Sequence, residues 1–279
     1  MSPWMGDAPP PEARPIGVFG WCRALLRAGA MLGLILTGLF LLLILRLIER
    51  PAFAPGRPVT PWITVAVCRG VLWLMGLKLR VKGTQMRRNG AVVSNHVSWL
   101  DILVLNSRRP VYFVAKSEVA RWPGIGWLAR ATGTVFIRRD RREAGAQVTL
   151  FKRRLGAGHR LLFFPEGTST DGQRVLPFKT TLFAAFFDPS LHETMFIQPV
   201  SVIYRAPPGQ DPRFFGWWGD MNLGGSLAKV LAQAPQGHVE LVYHAPLRVA
   251  GYQNRKALAR ALEERVRAPV APAAGGDAA

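Results

Sequence analysis

The sequence predicts an α/β layered fold, with a mostly parallel central sheet flanked by helices, preceded by an N-terminal apolar helical membrane anchor. Three observations carry this expectation. Residues 28–45 form an uncharged run of eighteen, dominated by Leu, Ile, Gly and Ala. Beyond residue 80, short runs rich in Val, Ile, Phe and Tyr alternate with helix-periodic segments, the pattern of strands joined by crossover helices. Finally, the polar residues able to do chemistry gather just after two of those apolar runs.

Taken in order, residues 1–15 are Pro-rich and poor in apolar side chains, and read as a disordered lead. The uncharged run is just long enough to cross a hydrocarbon layer of about 30 Å. A cleaved signal peptide is the competing reading, but the run starts late, is long for such a segment and lacks a following A-x-A site. Arg23 and Arg27 precede it and Arg46 and Arg50 follow it, so flanking charge does not orient it. Pro51, Pro55, Pro58 and Pro61 mark an extended connector. Residues 62–79 are apolar, interrupted by Arg69 and Lys78, and suit a helix lying in the interface or packed beside the first. Residues 1–80 therefore read as lead and anchor, 81–268 as a catalytic domain and 269–279 as a disordered tail. Within the catalytic part, strands are expected at 91–94, 111–115, 134–137, 161–164, 196–204 and 239–243. Helices are expected at 99–106, 127–132, 142–155 and 180–187, with a final charged helix at 255–267.

Of the 279 residues, 49% are hydrophobic, and the net charge is +19. Such a balance points to an anionic bilayer, a nucleic acid, or an acidic protein or phosphorylated cofactor. The apolar content favours the bilayer, where each surface Lys or Arg gains about 1 kcal/mol near anionic headgroups. Cys22 and Cys68 lie in apolar surroundings, without CxxC or Cys/His spacing, and read as small hydrophobes.

Asn95-His96-Val97-Ser98-Trp99-Leu100-Asp101 follows an apolar strand. A histidine there sits at the sheet edge where α/β folds place their sites. Asp101, five residues on across a turn, is close enough to fix the ring tautomer and leave the other nitrogen to take a proton from an alcohol. The bland reading is a turn with Asp101 as a helix cap. The second cluster is Phe163-Phe164-Pro165-Glu166-Gly167-Thr168-Ser169-Thr170-Asp171-Gly172. Pro165 ends a strand and Gly167 lets backbone amides approach a ligand. Glu166 is placed to hold a substrate hydroxyl and nearby amides to steady an oxyanion. By itself it also reads as a tight surface loop.

Together, the Asn-His-x-Ser-x-x-Asp and Phe-Pro-Glu-Gly-Thr elements resemble the two signature blocks of the glycerolipid acyltransferase family, which includes bacterial 1-acylglycerol-3-phosphate acyltransferases. Between them, Lys116-Ser117-Glu118, Pro123-Gly124-Ile125-Gly126-Trp127 and Gly133-Thr134-Val135-Phe136-Ile137-Arg138-Arg139 resemble the intervening pattern, and Gln198-Pro199-Val200-Ser201 the fourth block. The resemblance implies a membrane-bound enzyme that transfers a fatty acyl chain from an acyl-carrier-protein or coenzyme A thioester to a lyso-lipid hydroxyl. The thioester is a co-substrate, and no bound cofactor or metal is expected. It implies His96 as general base and Asp101 as its orienting carboxylate, with Arg139, Glu166, Gly167, Thr168, Ser169 and Lys179 shaping the acceptor site. It also implies a bacterial-type inner membrane with the catalytic domain on the cytoplasmic face. No Gly-x-Ser-x-Gly elbow is present, which argues against an acyl-serine hydrolase.

One departure from the family pattern bears on the acceptor. Phosphate-handling members usually carry Arg directly after Glu-Gly-Thr, and here that position is Ser169. With Arg174-Val175-Leu176-Pro177-Phe178-Lys179 following, and with Glu49-Arg50-Pro51 and Pro58-Val59-Thr60-Pro61-Trp62 in the anchor, the pattern most resembles the lyso-ornithine lipid O-acyltransferases. Their acceptors carry an amino-acid headgroup and no phosphate. Arg139, Arg174 or Lys179 keep a phosphate acceptor, and hence phosphatidic acid synthesis, open by charge pairing. The run Arg138, Arg139, Arg141 and Arg142 is either a solvated face or a docking surface for an acidic carrier. Phe214, Phe215, Trp217 and Trp218 either dip into lipid or close the core. A nucleic-acid-binding protein would explain the charge but not the apolar run, and no nucleic-acid motif is present. A non-catalytic lipid-binding protein would explain the anchor but needs no His96–Asp101 pair.

Overall fold

A computed structural model of the chain describes residues 4–11, 14–88, 90–137 and 144–270. The uncharged run lies inside a longer helix, α1 (Val18–Phe53), which continues through both pairs of flanking arginines. Its 36 residues are long and apolar enough to cross a membrane, spanning about 54 Å at 1.5 Å per residue against a hydrocarbon layer of about 30 Å. The connector turns the chain back into α2 (Thr60–Met75), which opens with Pro61 in its first turn and ends at Gly76 with φ +72°. Only a residue without Cβ takes that left-handed conformation cheaply, so the second apolar segment stops at Met75. The two helices pack closely because each offers a glycine to the other. A Cβ on Gly38 would lie 2.2 Å from Val67 Cγ2, and one on Gly70 would lie 2.6 Å from Leu34 Cδ2. Glu49 is buried at the hairpin, where it accepts the Val59 and Thr60 amides at 2.7 and 3.0 Å and binds the Arg46 guanidinium at 2.9 Å.

Among the described residues eight strands form one sheet: β1 (Lys78–Lys82), β2 (Gly90–Ser94), β3 (Tyr112–Lys116), β4 (Val135–Ile137), β5 (Leu161–Phe163), β6 (Phe196–Arg205), β7 (His238–Tyr243) and β8 (Leu247–Arg248). Their order is β1-β7-β6-β2-β5-β3-β4, with β8 also pairing β6. All neighbours run parallel except β6 with β7 and β6 with β8. The central strands β2 and β5 are buried along their whole length, which explains their unbroken apolar sequences. The helices α3 (Leu100–Asn106), α4 (Ile125–Thr132), α5 (Ala144–Gly156), α6 (Pro189–His192), α7 (Leu223–Ala232) and α8 (Arg255–Arg267) complete the layers. One face of the sheet packs on α5, α8 and the 3-10 turns at Thr180–Phe187, through Phe151, Phe163, Phe183 and Leu262. The other packs on α2, α3 and α7, through Val71, Leu100, Val104 and Val230.

The first half of α1 belongs to that second core. Ala24 and Met31 are buried there with Val92, Val200 and Val230. Arg23 donates to Ala232 O at 2.6 Å, and Arg27 donates to Leu231 O and Gln233 O at 2.8 Å each, placing two cations at the carboxyl end of α7. The packing thus runs continuously across residue 80. Farther along, Leu32, Leu36, Phe40, Leu47 and Ile48 are exposed.

The expected strands and most helices are present, and beside the short unexpected elements β8, α6 and the 3-10 turns at Ser117–Arg121 there are four larger differences. Residues 180–187 wind as 3-10 turns. β1 went unread because three of its five residues are basic and it lies at the sheet edge with an exposed face. α7 went unread because its Gly224-Gly225-Ser226 opening masks the helical period, while Asn222 caps it by accepting the Gly225 amide. The expected disordered lead is the fourth: residues 4–11 lie folded against the catalytic part. Trp4 N donates to Thr168 Oγ1 at 3.3 Å, and Pro9 O accepts from Arg213 Nη1 at 3.1 Å.

Candidate active site

The two motif loops leave the carboxyl ends of neighbouring parallel strands, since Val93 of β2 stands beside Phe163 of β5. Residues one or two positions beyond each strand therefore meet. The His96 ring stacks on Phe164 with centroids 4.1 Å apart and planes at 11°. Asn95 is fully buried and fixes the loop by exchanging two 2.8 Å hydrogen bonds with the main chain of Val202 on β6.

Asp101 Oδ2 lies 2.7 Å from His96 Nδ1. The same oxygen accepts the Val97 and Ser98 amides at 2.7 and 3.0 Å, so the turn cap and the histidine partner are one carboxylate doing both. Asp101 Oδ1 accepts the Tyr204 hydroxyl at 2.7 Å. The carboxylate is fully buried, and these four donors supply what water would otherwise give. Burial, with the Asp101 charge adding to it, holds the Tyr204 hydroxyl well above its usual range, so it stays a donor. The His96 side chain retains 22% exposure. Because Nδ1 is engaged by a carboxylate, Nε2 is the nitrogen that can act as base toward an incoming hydroxyl.

Glu166 joins the two motifs from inside. It is 1% exposed, and its oxygens accept the main-chain amides of His96 and Leu176, each at 2.7 Å. Both bonds run to backbone, so its role here is to set the height of His96 against the second loop. Burial pushes its carboxyl up to about 8, with the two amide bonds opposing. Gly167 has φ +76° and its amide donates to Phe164 O at 3.1 Å, closing the turn. That N–H is therefore committed, and oxyanion donors must come from the amides that follow. Thr168 and Ser169 are half-buried on this turn. Thr170 N donates to His96 O at 2.9 Å, tying the loop back to the histidine. Lys179 is half-buried and joined to the turn through its amide, which donates to Pro165 O at 2.9 Å. Farther out, α8 holds the segment: Glu263 accepts the Phe178 amide at 2.7 Å, and Arg267 donates to Val175 O at 2.9 Å.

Arg139 and the rest of the basic run 138–142 lie outside the described residues. Phe214, Phe215 and Trp218 are buried and close the core, while Trp217 N donates to Val97 O at 2.9 Å and braces the histidine loop. A cleft of about 570 Å³ lies away from His96, between residues 9–11 and 14–20 on one side and α7 on the other, and is lined by Arg14, Gln210, Arg213 and Lys229 among others. Three residues that matter to the site went unread in the sequence. Asn95 appeared only as part of the motif string, Tyr204 only as the end of an apolar strand, and Trp4 only as part of the lead.

The acyltransferase family model matches residues 78–203, which span both motifs and most of the sheet. The lyso-ornithine lipid O-acyltransferase of Rhodobacter capsulatus is 58% identical over 264 residues, covering 95% of each chain. The 1-acyl-sn-glycerol-3-phosphate acyltransferase of Neisseria meningitidis is 38% identical over 123 residues, covering 43% of this chain and 48% of that one. Among solved structures, the 1-acyl-sn-glycerophosphate acyltransferase of Thermotoga maritima shares the fold. Its TM-score is 0.56 at 21% identity, with 88% of this chain and 96% of that one covered.

Proposed function

The chain belongs to this acyltransferase family and is an enzyme of acyl transfer, and from that premise we propose that it acylates the hydroxyl of lyso-ornithine lipid from an acyl thioester. The observation that carries the acceptor is the 58% identity, over 95% of both chains, to a relative named for it. Ser169 supports the same reading, because it puts a neutral side chain where phosphate-handling relatives carry a cation. The donor is an acyl-carrier-protein or coenzyme A thioester, and no bound cofactor enters the chemistry.

In this reading His96 Nε2 takes the proton from the acceptor hydroxyl as its oxygen attacks the thioester carbonyl carbon. The new C–O bond forms and the carbonyl oxygen becomes an oxyanion, steadied by main-chain amides beyond Gly167. As the intermediate collapses, the C–S bond breaks and the proton on His96 passes to the departing thiolate. Asp101 balances the imidazolium that exists between these steps, and its three other donors hold it in place. Glu166 positions His96 through its main chain, while Gly167, Thr168, Ser169 and Lys179 frame the acceptor.

The anchor keeps the site at the lipid surface. Trp122, Ile125 and Trp127, on and beside α4, are exposed next to α1, which suits a face that meets headgroups. The catalytic part belongs on the cytoplasmic face of a bacterial-type inner membrane, where acyl thioesters are supplied. Purified full-length protein offered lyso-ornithine lipid and lysophosphatidic acid together, with acyl-carrier-protein and coenzyme A donors in turn, tests the proposal. Mass spectrometry should identify acylated ornithine lipid as the main product. A higher specificity constant for lysophosphatidic acid overturns the acceptor and leaves the acyl-transfer chemistry standing.

A further inference from the structure

Residues 4–11 cross the loop that carries Glu166, Gly167 and Thr168, and they contact it through the Trp4 amide and ring and the Asp7 carboxylate. The Trp4 amide donates to Thr168 Oγ1 at 3.3 Å, and its ring lies 5.2 Å from the Arg174 guanidinium and 6.1 Å from the Trp218 ring. The Asp7 carboxylate pairs with Arg174 Nη1, while Asp171 holds Nη2 at 3.2 Å. Arg174 sits on the motif loop itself. Thr170, whose amide bonds His96 O, also donates its hydroxyl to Arg174 O at 3.4 Å.

The electrostatics of this cluster are lopsided. One guanidinium faces two carboxylates, so the group as a whole is anionic. Asp171 is almost fully buried, with its second oxygen accepting the Gln173 amide at 3.0 Å, and so is a fixed part of the loop. Asp7 is different: its side chain is 68% exposed and comes from a separate segment 167 residues away. A phosphate approaching Arg174 meets this carboxylate first. Without Asp7 the charges of Arg174 and Asp171 would balance, and Arg174 would have its Nη1 freed. A guanidinium nitrogen freed beside the acceptor loop is what a phosphomonoester would bind, by a charge-assisted hydrogen bond.

We propose that Asp7 is a specificity-determining residue, which masks Arg174 and so excludes acceptors with a phosphate headgroup. Trp4 holds the segment in register on Thr168 and covers one face of the guanidinium. This inference rests on the proposed preference for an acceptor without phosphate. It adds a second device to Ser169: the loop lacks one cation, and the other is covered.

The test is the ratio of specificity constants for lysophosphatidic acid and lyso-ornithine lipid, measured on full-length protein with one acyl thioester. Asp7→Asn should raise that ratio about tenfold, mainly by lowering KM for lysophosphatidic acid, since a distant headgroup is bound equally in ground and transition states. A gain towards one substrate cannot come from unfolding. The double variant Asp7→Asn with Arg174→Gln should return the ratio to its wild-type value. An unchanged ratio in Asp7→Asn, in a protein that itself prefers lyso-ornithine lipid, overturns the inference and leaves the acceptor assignment intact. A gain that survives Arg174→Gln also overturns it, because another cation then receives the phosphate. A wild-type preference for lysophosphatidic acid overturns the acceptor assignment and the inference together.

Discussion

The Tyr204 hydroxyl donates to Asp101 Oδ1 at 2.7 Å across 103 residues of chain, so the carboxylate beside His96 is held from β6 as well as from its own turn. A buried polar group is costly unless its lone pairs are met, and here three neutral donors and one imidazole meet those of Asp101. Tyr204→Phe removes one donor and leaves the rest of the ring packed on Phe215. It should destabilise the protein by about 1–3 kcal/mol, read from denaturant melts in detergent. It should also lower kcat several-fold with little change in KM. Unaltered melts and kinetics would show that the bond does not support Asp101.

His96→Ala and Asp101→Asn separate chemistry from folding. His96→Ala should cut turnover by at least about a hundredfold, as expected for loss of a general base, with little loss of stability because the ring is partly exposed. Asp101→Asn should lose a similar factor and also melt earlier, because an amide group cannot accept from Val97, Ser98, Tyr204 and His96 together. Near-normal turnover in folded His96→Ala protein would sink the proposed mechanism.

The pattern of what could be read from the chain follows from distance along it. The His96–Asp101 pair is a five-residue contact across a turn, so spacing and residue type were enough to suggest it. The strands β2 and β5 were legible because central parallel strands must be apolar on both faces. The Tyr204, Asn95 and Asp7 contacts span 103 to 167 residues and depend on which strands become neighbours, which no local pattern encodes. The lead was misread for a related reason. Its composition is that of a disordered segment, yet a few specific contacts to Thr168, Arg174 and Arg213 fix residues 4–11 in place. Conversely, the boundary placed at residue 80 followed a change in composition, whereas the packing follows Arg23, Arg27, Ala24 and Met31 onto α7 and the sheet.

Glu166 should leave a signature in stability against pH. Burial in the fold pushes its carboxyl up to about 8, against the ordinary 4.5 that it has in the unfolded chain. Between those values the folded state holds a proton that the unfolded chain has released. Its contribution therefore declines as pH rises from about 4.5 to 8 and is constant beyond. Glu166→Gln should melt lower at pH 5, because its amide group faces a main-chain N–H, and should lack that decline. The gap in Tm between wild type and Glu166→Gln should narrow steadily from pH 5 to pH 8. A gap that stays constant over this range would mean that the carboxyl is ionised throughout.

Attachment to the membrane should depend on the exposed stretch of α1 and not on its buried start. The full chain should remain with membranes through high-salt and carbonate washes, because salt screens charge but does not weaken apolar insertion. Removing residues 1–31 should do more than loosen that attachment. It deletes Ala24 and Met31 from the shared core and leaves the Leu231, Ala232 and Gln233 carbonyls without the Arg23 and Arg27 donors. Such a protein should aggregate or melt far lower. The informative variant instead places lysines at Leu36, Phe40 and Leu47, which are exposed in the fold. Each charge near the middle of a hydrocarbon layer costs roughly 2.5–3.5 kcal/mol, so three should shift the protein to the carbonate-soluble fraction. Its Tm in detergent should stay within a few degrees of wild type, since those side chains pack against nothing in the core. Retention of the triple variant in carbonate-washed membranes would place the attachment elsewhere, on α2 or the exposed tryptophans beside α4.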